Sequence, residues 1–383
     1  MVLTDDQRAL QESARRFSRE RLLPHYLARE KEDKLDRNLV REMGALGFLG
    51  MDFPVAHGGM AVDGVTTGLV AEELAYGDFN VSAVPVGISL LGAIILRHAH
   101  AALVEHWIPR MVRGDAIVGI CLTEPRGGSD AANLRVKARR EGNDYVLNGE
   151  KASITFAHNA DAFVVFARTG TAEQGARGVS AFFVPGDAAG LRRTKYDDVG
   201  ERIVGRGSVF FDDVRIPVLN RLGDEGKGFT QVMQGFDYSR ALIALQCTGA
   251  AQASLDEAWA YSAQREAFGR PIAQFQGVTF PLAEGESMIA AIRQLSYHAL
   301  SLRDAGQAHT SEAAMVKWLG PKTAFDVIHH CLLTMGHYGW TKETAHQQRL
   351  RDVMGLEIGD GTAGVMKLII ARGRVGKAAV QYL

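Results

Sequence analysis

The chain is expected to be an α+β protein of several domains, ordered helical, β, helical. Three observations lead there. At 383 residues it exceeds the ~100–200 residues of one typical domain, so two or three domains are expected. The hydrophobic period changes from helical to alternating in the middle third. Long Ala-rich amphipathic stretches with few prolines then return from Gly228 onward. The expected units are 1–117, 118–225 and 226–383.

In the first unit, Thr4-Asp-Asp-Gln7 reads as a capping box opening a helix. Leu10, Ala14 and Phe17 mark one helix face, and Leu39, Met43 and Leu46 another. The turn Pro54-Val-Ala-His-Gly-Gly59 precedes a further helical stretch through Glu72–Tyr76. In the second unit Leu134, Val136 and Ala138 alternate with basic residues, and Glu141-Gly-Asn-Asp144 turns the chain. Asn148-Gly149 is a strong short hairpin signal. Strands are expected at 163–166, 179–184 and 208–214, the last closed by Arg215-Ile-Pro217. In the third unit Gly226-Lys-Gly228 starts a bundle of four or five antiparallel helices.

Composition excludes several classes. Lys+Arg 43 against Asp+Glu 44 gives no basic footprint for nucleic acid. The apolar run 83–95 is broken by Pro85 and Ser89, short of the ~20 residues of a membrane span. The N-terminus opens with a helix cap rather than a signal peptide, and three dispersed cysteines form no disulfide framework. A cytoplasmic protein is the expectation, with no membrane and no nucleic-acid partner. His98, His100, His329, His330 and His337 lack the spacing of a metal site, so no metal is expected. Asp212-Asp213 follows a strand and reads as structural.

The block Cys121-Leu-Thr123-Glu-Pro-Arg-Gly-Gly128-Ser129-Asp130, followed by Asn148-Gly-Glu-Lys-Ala-Ser153-Ile-Thr155, combines glycines, which admit close backbone approach, with hydroxyls that can bond a heteroaromatic edge. It resembles the acyl-CoA dehydrogenase pattern T-E-P-x-x-G-S-D, then N-G-x-K-x-W/Y-I-T. Arg265-Glu-Ala-Phe268-Gly269 with Phe275-Gln276 is similar to that family's R-x-x-F-G…F-Q on a long bundle helix. The resemblance spans essentially the whole chain. It implies an N-terminal α-helical domain, a β-barrel-like middle domain, a C-terminal four-helix bundle and FAD as cofactor. It implies FAD contacts from Leu122, Thr123, Gly128, Ser129, Ser153, Thr155, Gln276, Gly336 and Thr362, with Arg265 and Phe268 reaching the FAD of a neighbouring subunit. A homotetramer, a dimer of dimers, follows, with electron-transferring flavoprotein as electron acceptor. Leu333-Thr-Met-Gly336-His337-Tyr-Gly339 departs from the family's Q-x-x-G-G-x-G, and His337 would crowd the diphosphate or donate to it.

Ile358-Gly359-Asp360-Gly361-Thr362 aligns with the family's I-Y-E-G-T. The resemblance makes Asp360 the base that abstracts the α-proton of an acyl-CoA while a β-hydride passes to flavin N5. It also makes the Asp360 backbone N–H part of the donor pair on the thioester carbonyl. An alternative base position falls on Ser239, which cannot serve. Ser129, Asp237, Arg240, Gly359 and Val84 are the expected substrate contacts, with 79–104 as a pocket wall. Asp360 for Glu, Gly359 for an aromatic and Ser153 for another each remove volume, pointing to a branched or alicyclic acyl group such as cyclohexane-carboxyl-CoA. The alternatives are a nitroalkane-oxidase-like flavoprotein oxidase using the same Asp base, a non-catalytic FAD-containing binding protein, and an inactive homologue.

Overall fold

The structure, a computed structural model, describes residues 2–379. The last four residues of the expected third unit, 380–383, lie outside the described residues.

Helix α1 (Asp5–Phe17) begins at the expected box: Gln7 N–H donates to Thr4 Oγ1 at 3.2 Å, and Thr4 N–H donates to Gln7 Oε1 at 3.1 Å. A short α2 (Tyr26–Arg29) leads to α3 (Arg37–Ala45), which buries Leu39 and Met43. Leu46, expected on that face, instead forms the C-cap and is 44% exposed. The helix ends one residue too early to carry it inward. α4 (Gly64–Gly77), α5 (Phe79–His98) and α6 (Ala101–Val112) complete the unit.

Pro85 does not break the apolar run. α5 continues through it for 20 residues, with mean hydropathy 2.0 in its most apolar window. That length and composition match a membrane span, yet 78% of the window is buried inside the protein. Val81, Val84, Ile88, Leu91 and Ile95 pack into the core, and that burial outweighs the one backbone bond a proline forfeits.

The middle unit is one sheet in the order β6-β7-β3-β2-β4-β5-β8, with β1 pairing parallel to β4. Its strands are β1 (Val118–Cys121), β2 (Lys137–Glu141), β3 (Asp144–Ile154), β4 (Ala162–Arg168), β5 (Val179–Pro185), β6 (Leu191–Arg193), β7 (Gly207–Pro217) and β8 (Arg221–Leu222). β6 and β8 end the path, so the sheet is barrel-like without closing. The hairpin turn lies at Gly142-Asn143, between the paired Glu141 and Asp144. Asn148-Gly149 is no turn: β3 runs on through it as a bulge. Gly149 takes φ +131°, where a Cβ would come within 3.0 Å of Val136 Cγ2. The Asn148 side chain exchanges two hydrogen bonds with Asp213 on β7. A partner strand on the far side has outweighed the local turn preference.

The third unit holds α7 (Gly228–Gln264), α8 (Gln276–Asp304), α9 (Thr310–Thr334), α10 (His346–Gly355) and α11 (Ala363–Val375). α7, α8 and α9 pack on one another, α11 packs on α9, and α4 and α5 lie against α7. The Arg265–Gly269 segment is not on a long helix. Arg265 caps α7, and β9 (Glu266–Ala267) pairs with β10 (Arg270–Pro271) around Phe268 (φ +52°) and Gly269 (φ +75°). Two successive positive φ values make this a tight hairpin turn.

Candidate active site

A cavity opens where the three units meet. Its walls come from α5, β1, the turn after β3, the β6–β7 loop, α7 and the loop joining α10 to α11. A larger cavity of about 390 Å³ lies between α1, α4, α7 and α8. Its acids are already engaged: Glu73 pairs with Arg15 and Arg19, and Glu72 accepts from Arg293, Tyr297 and Thr248. The smaller cavity holds reactive groups, so the chemistry is read there.

Asp360 sits at the cavity edge with Gly359 and Ser239. Its φ of +52° is a left-handed conformation that Asp tolerates better than most residues. Three neighbours fix it. Ser239 Oγ lies 3.3 Å from Asp360 Oδ2, and Arg240 Nε donates to the Asp360 carbonyl at 3.4 Å. Lys317, 1% exposed, donates from Nζ to the carbonyls of Leu356 (2.7 Å) and Gly361 (3.2 Å), clasping both ends of the loop. Burial pulls the Lys317 ammonium down and Asp360 opposes it. Among the described residues the Asp360 N–H donates to no protein acceptor. The loop thus presents one carboxylate and one free N–H together.

Arg240 is buried on α7, and Asp237 holds its Nη1 at 2.9 Å. Asp237 also accepts from Thr310 Oγ1 at 2.6 Å. Asp237 therefore positions Arg240 rather than standing free for a ligand.

The β6–β7 loop brings two groups that composition and motif did not reveal. Glu201 and Arg206 line the cavity. Glu201 takes φ +51°, and its N–H donates to Asp352 Oδ1 at 2.6 Å. Asp352, on α10, also accepts from Tyr26 Oη and from Asn80 Nδ2 at 2.8 Å, tying α2, α5 and the loop together. Burial pushes the carboxyls of Glu201 and Asp352 up to about 7 each. Arg206 Nε donates to Asp198 at 3.0 Å.

Thr123 and Thr155 are half-buried, and among the described residues neither hydroxyl has a side-chain hydrogen bond to protein. Such pairs of unused hydroxyls suit the polar edge of a flavin. Leu122, buried beside Thr123, gives its carbonyl to Lys151 Nζ at 2.9 Å. The glycine loop is open: a Cβ at Gly127 would meet nothing within 4 Å, and Gly128 and Ser129 are exposed. Glu124 and the buried Lys151 hold its base, joined at 2.9 Å, while Glu124 accepts from the Arg135 and Val136 N–H groups. Gly336 (φ +58°) likewise leaves open space, and His337 beside it is exposed. Phe268 is 94% exposed at the hairpin tip, with Arg265 and Gln276 exposed at its root. These groups fit FAD as open, unpaired donors and a loop without side-chain obstruction.

Three further expected site residues do not line this cavity. Ser153 is exposed at φ +56° and outside the cavity wall, which Thr155 and Phe156 line. Val84 is 1% exposed in the core, while Ala83, Val86 and Gly87 of the same helix face the cavity. Thr362 caps α11, accepting from Val365 N–H at 3.4 Å.

Residues 4–115, 119–214 and 226–374 match the N-terminal, middle and C-terminal domain models of acyl-CoA dehydrogenase. The chain is 35% identical to the short-chain specific acyl-CoA dehydrogenase of Rattus norvegicus mitochondria, over 96% of this chain and 90% of that protein. Butyryl-CoA dehydrogenase from Megasphaera elsdenii superposes with a TM-score of 0.94 at 31% identity, covering 98% of this chain and 99% of that one. Glutaryl-CoA dehydrogenase from Mycobacterium smegmatis in complex with FADH2 superposes with a TM-score of 0.93 at 28% identity, covering 99% and 97%.

Proposed function

The chain belongs to the acyl-CoA dehydrogenase family, and from that premise we propose that it desaturates the α,β bond of a branched or alicyclic acyl-CoA with Asp360 as base. It is an FAD-dependent oxidoreductase of the acyl-CoA dehydrogenase type. Its three units are taken as 1–117, 118–225 and 226–383. The observation that carries the reading is Asp360 beside Ser239 and Gly359 in one cavity.

Asp360 takes the α-proton, while its own N–H, free of protein acceptors among the described residues, donates to the thioester carbonyl and stabilises the developing charge. Ser239 stands beside the carboxylate and orients it. FAD, when bound, supplies the acceptor for the β-hydride. Thr123 and Thr155 hold its polar edge, Gly128 and Ser129 admit its phosphates, and Arg265, Phe268 and Gln276 serve a neighbouring subunit. Arg240, held by Asp237, keeps the Asp360 peptide in place.

Gly359 and the short Asp360 leave room near the reacting carbons, which favours a bulky α-carbon. Exposed Phe268, Phe280, Leu333 and Trp340 on the third unit support a homotetramer in which other subunits cover them. Electron-transferring flavoprotein is the acceptor we assign, and the cytoplasm the compartment. The test is anaerobic mixing of the FAD-loaded protein with straight, branched and cyclic acyl-CoAs while flavin absorbance is followed. Bleaching by the branched or cyclic substrates is expected, and faster bleaching by butyryl-CoA overturns the substrate class. Asp360→Asn should stay yellow and fail to bleach; full bleaching by that variant overturns the base.

A further inference from the structure

The acyl cavity of a dehydrogenase acting on plain hydrocarbon chains needs one carboxylate, the base. This cavity has a second acid and a guanidinium. Glu201 and Arg206 line it together with Asp360. Among the described residues the Glu201 carboxylate makes no hydrogen bond or ion pair, and it does not cap the short helical turn that follows. Its Oε2 would lie 2.6 Å from a Cβ built on Gly355, so the glycine leaves the space the carboxyl occupies. Arg206 spends Nε on Asp198 at 3.0 Å, and its two terminal nitrogens have no protein acceptor among the described residues. A carboxyl and a guanidinium that face the cavity without protein partners are free to bond a polar group of a ligand.

We infer that Glu201 and Arg206 form a polar subsite that receives a hydroxyl group carried by the acyl chain. The inference rests on the dehydrogenase reading above and adds a substrate feature to it. The charge balance selects the ligand. A carboxylate substituent would face Glu201 and the neighbouring Asp198, Asp352 and Asp360. An ammonium could answer Glu201 but would leave the Arg206 terminal nitrogens without an acceptor. A hydroxyl donates to Glu201 and accepts from Arg206, answering both groups with one atom. Burial, opposed by Arg206 and helped by the neighbouring acids, pushes the Glu201 carboxyl up to about 7. The backbone bond from Glu201 to Asp352 fixes the subsite to α10, one turn from the base loop.

The test compares cyclohexane-carbonyl-CoA with its 3- and 4-hydroxy counterparts and with glutaryl-CoA, on the FAD-loaded wild type and on Glu201→Gln, Glu201→Leu and Arg206→Met. A site built to bond a hydroxyl discriminates against the analogue lacking it by roughly 10²-fold or more. The wild type should therefore prefer a hydroxylated ring by that margin in kcat/KM and in calorimetric Kd. Glu201→Leu should lose the preference, its loss on the hydroxylated substrates exceeding any change on the plain ring by that margin, and melt no lower than wild type. Equal rates on plain and hydroxylated rings in the wild type, preference for glutaryl-CoA, or equal losses on all substrates in Glu201→Leu would each overturn the subsite. The plain ring serves as the check on the parent reading. Bleaching by it with no hydroxyl preference fails the subsite only, and bleaching by none of the panel fails both.

Discussion

Lys317 carries the most consequence per side chain. A buried ammonium bonded to the carbonyls of Leu356 and Gly361 fixes the span that holds Asp360. Each charge-assisted bond contributes about 1.5–3 kcal/mol, and its loss strands a carbonyl. Lys317→Met should lower stability by roughly 3 kcal/mol and cut kcat at least tenfold, while FAD absorbance per subunit stays unchanged. Unaltered kcat in a folded, yellow Lys317→Met protein would show that the clasp does not position the base. At this scale the motifs singled out Asp360 and Thr155, which both line the cavity, and Arg240, which bonds the Asp360 carbonyl. Glu201 and Arg206 were not legible, since a loop without period reaches the cavity only through tertiary contacts. Lys151 and Glu124 lay in plain sight within the motif, yet their pairing serves the loop's shape.

At the scale of elements, two local signals misled for the same reason. Pro85 reads as a breaker and Asn148-Gly149 as a turn, but each is overruled by neighbours: the packed core for α5, the β7 partner for β3. The capping box at Thr4, the strands β4, β5 and β7 and the start of α7 were legible because periodicity and caps act locally. The β9–β10 hairpin carries its own expectation. Its tip is an exposed phenylalanine on a two-residue turn, an arrangement suited to burial against another chain. Phe268→Glu should weaken the oligomer and release FAD, read as a smaller species in light scattering and a lower ratio of 450 to 280 nm absorbance. An unchanged mass and ratio would remove the hairpin from the interface.

Across the whole molecule, opposing titrations set the pH range of stability. His346 is fully buried, and neither ring nitrogen has a hydrogen bond; burial pushes it from 6.5 down to about 4. As pH falls below 6.5 the unfolded chain takes up a proton that the folded one refuses until about pH 4, so stability drops by about 3 kcal/mol over that window. Glu201 and Asp352 act in the other direction. Their raised folded values, about 7 each, mean that stability present in acid is lost as pH rises through 7. Two carboxyls against one imidazole give a net loss across that window, so melting temperature should fall from about pH 5 to 7 and level off above it. His346→Gln should steepen the fall and Glu201→Leu should flatten it. A melting temperature climbing from about pH 5 to 8 would contradict these assignments.

The β6–β7 loop meets the α10–α11 loop across the cavity, yet 159 positions of chain separate Glu201 from Asp360. The proposed base and the proposed side-group subsite are thus encoded in stretches that can vary independently. On that reading, drift in the loop could retarget the cavity to a new acyl group while Asp360 stays untouched. Gly355 limits that freedom: one added methyl there would displace Glu201 and with it the proposed subsite.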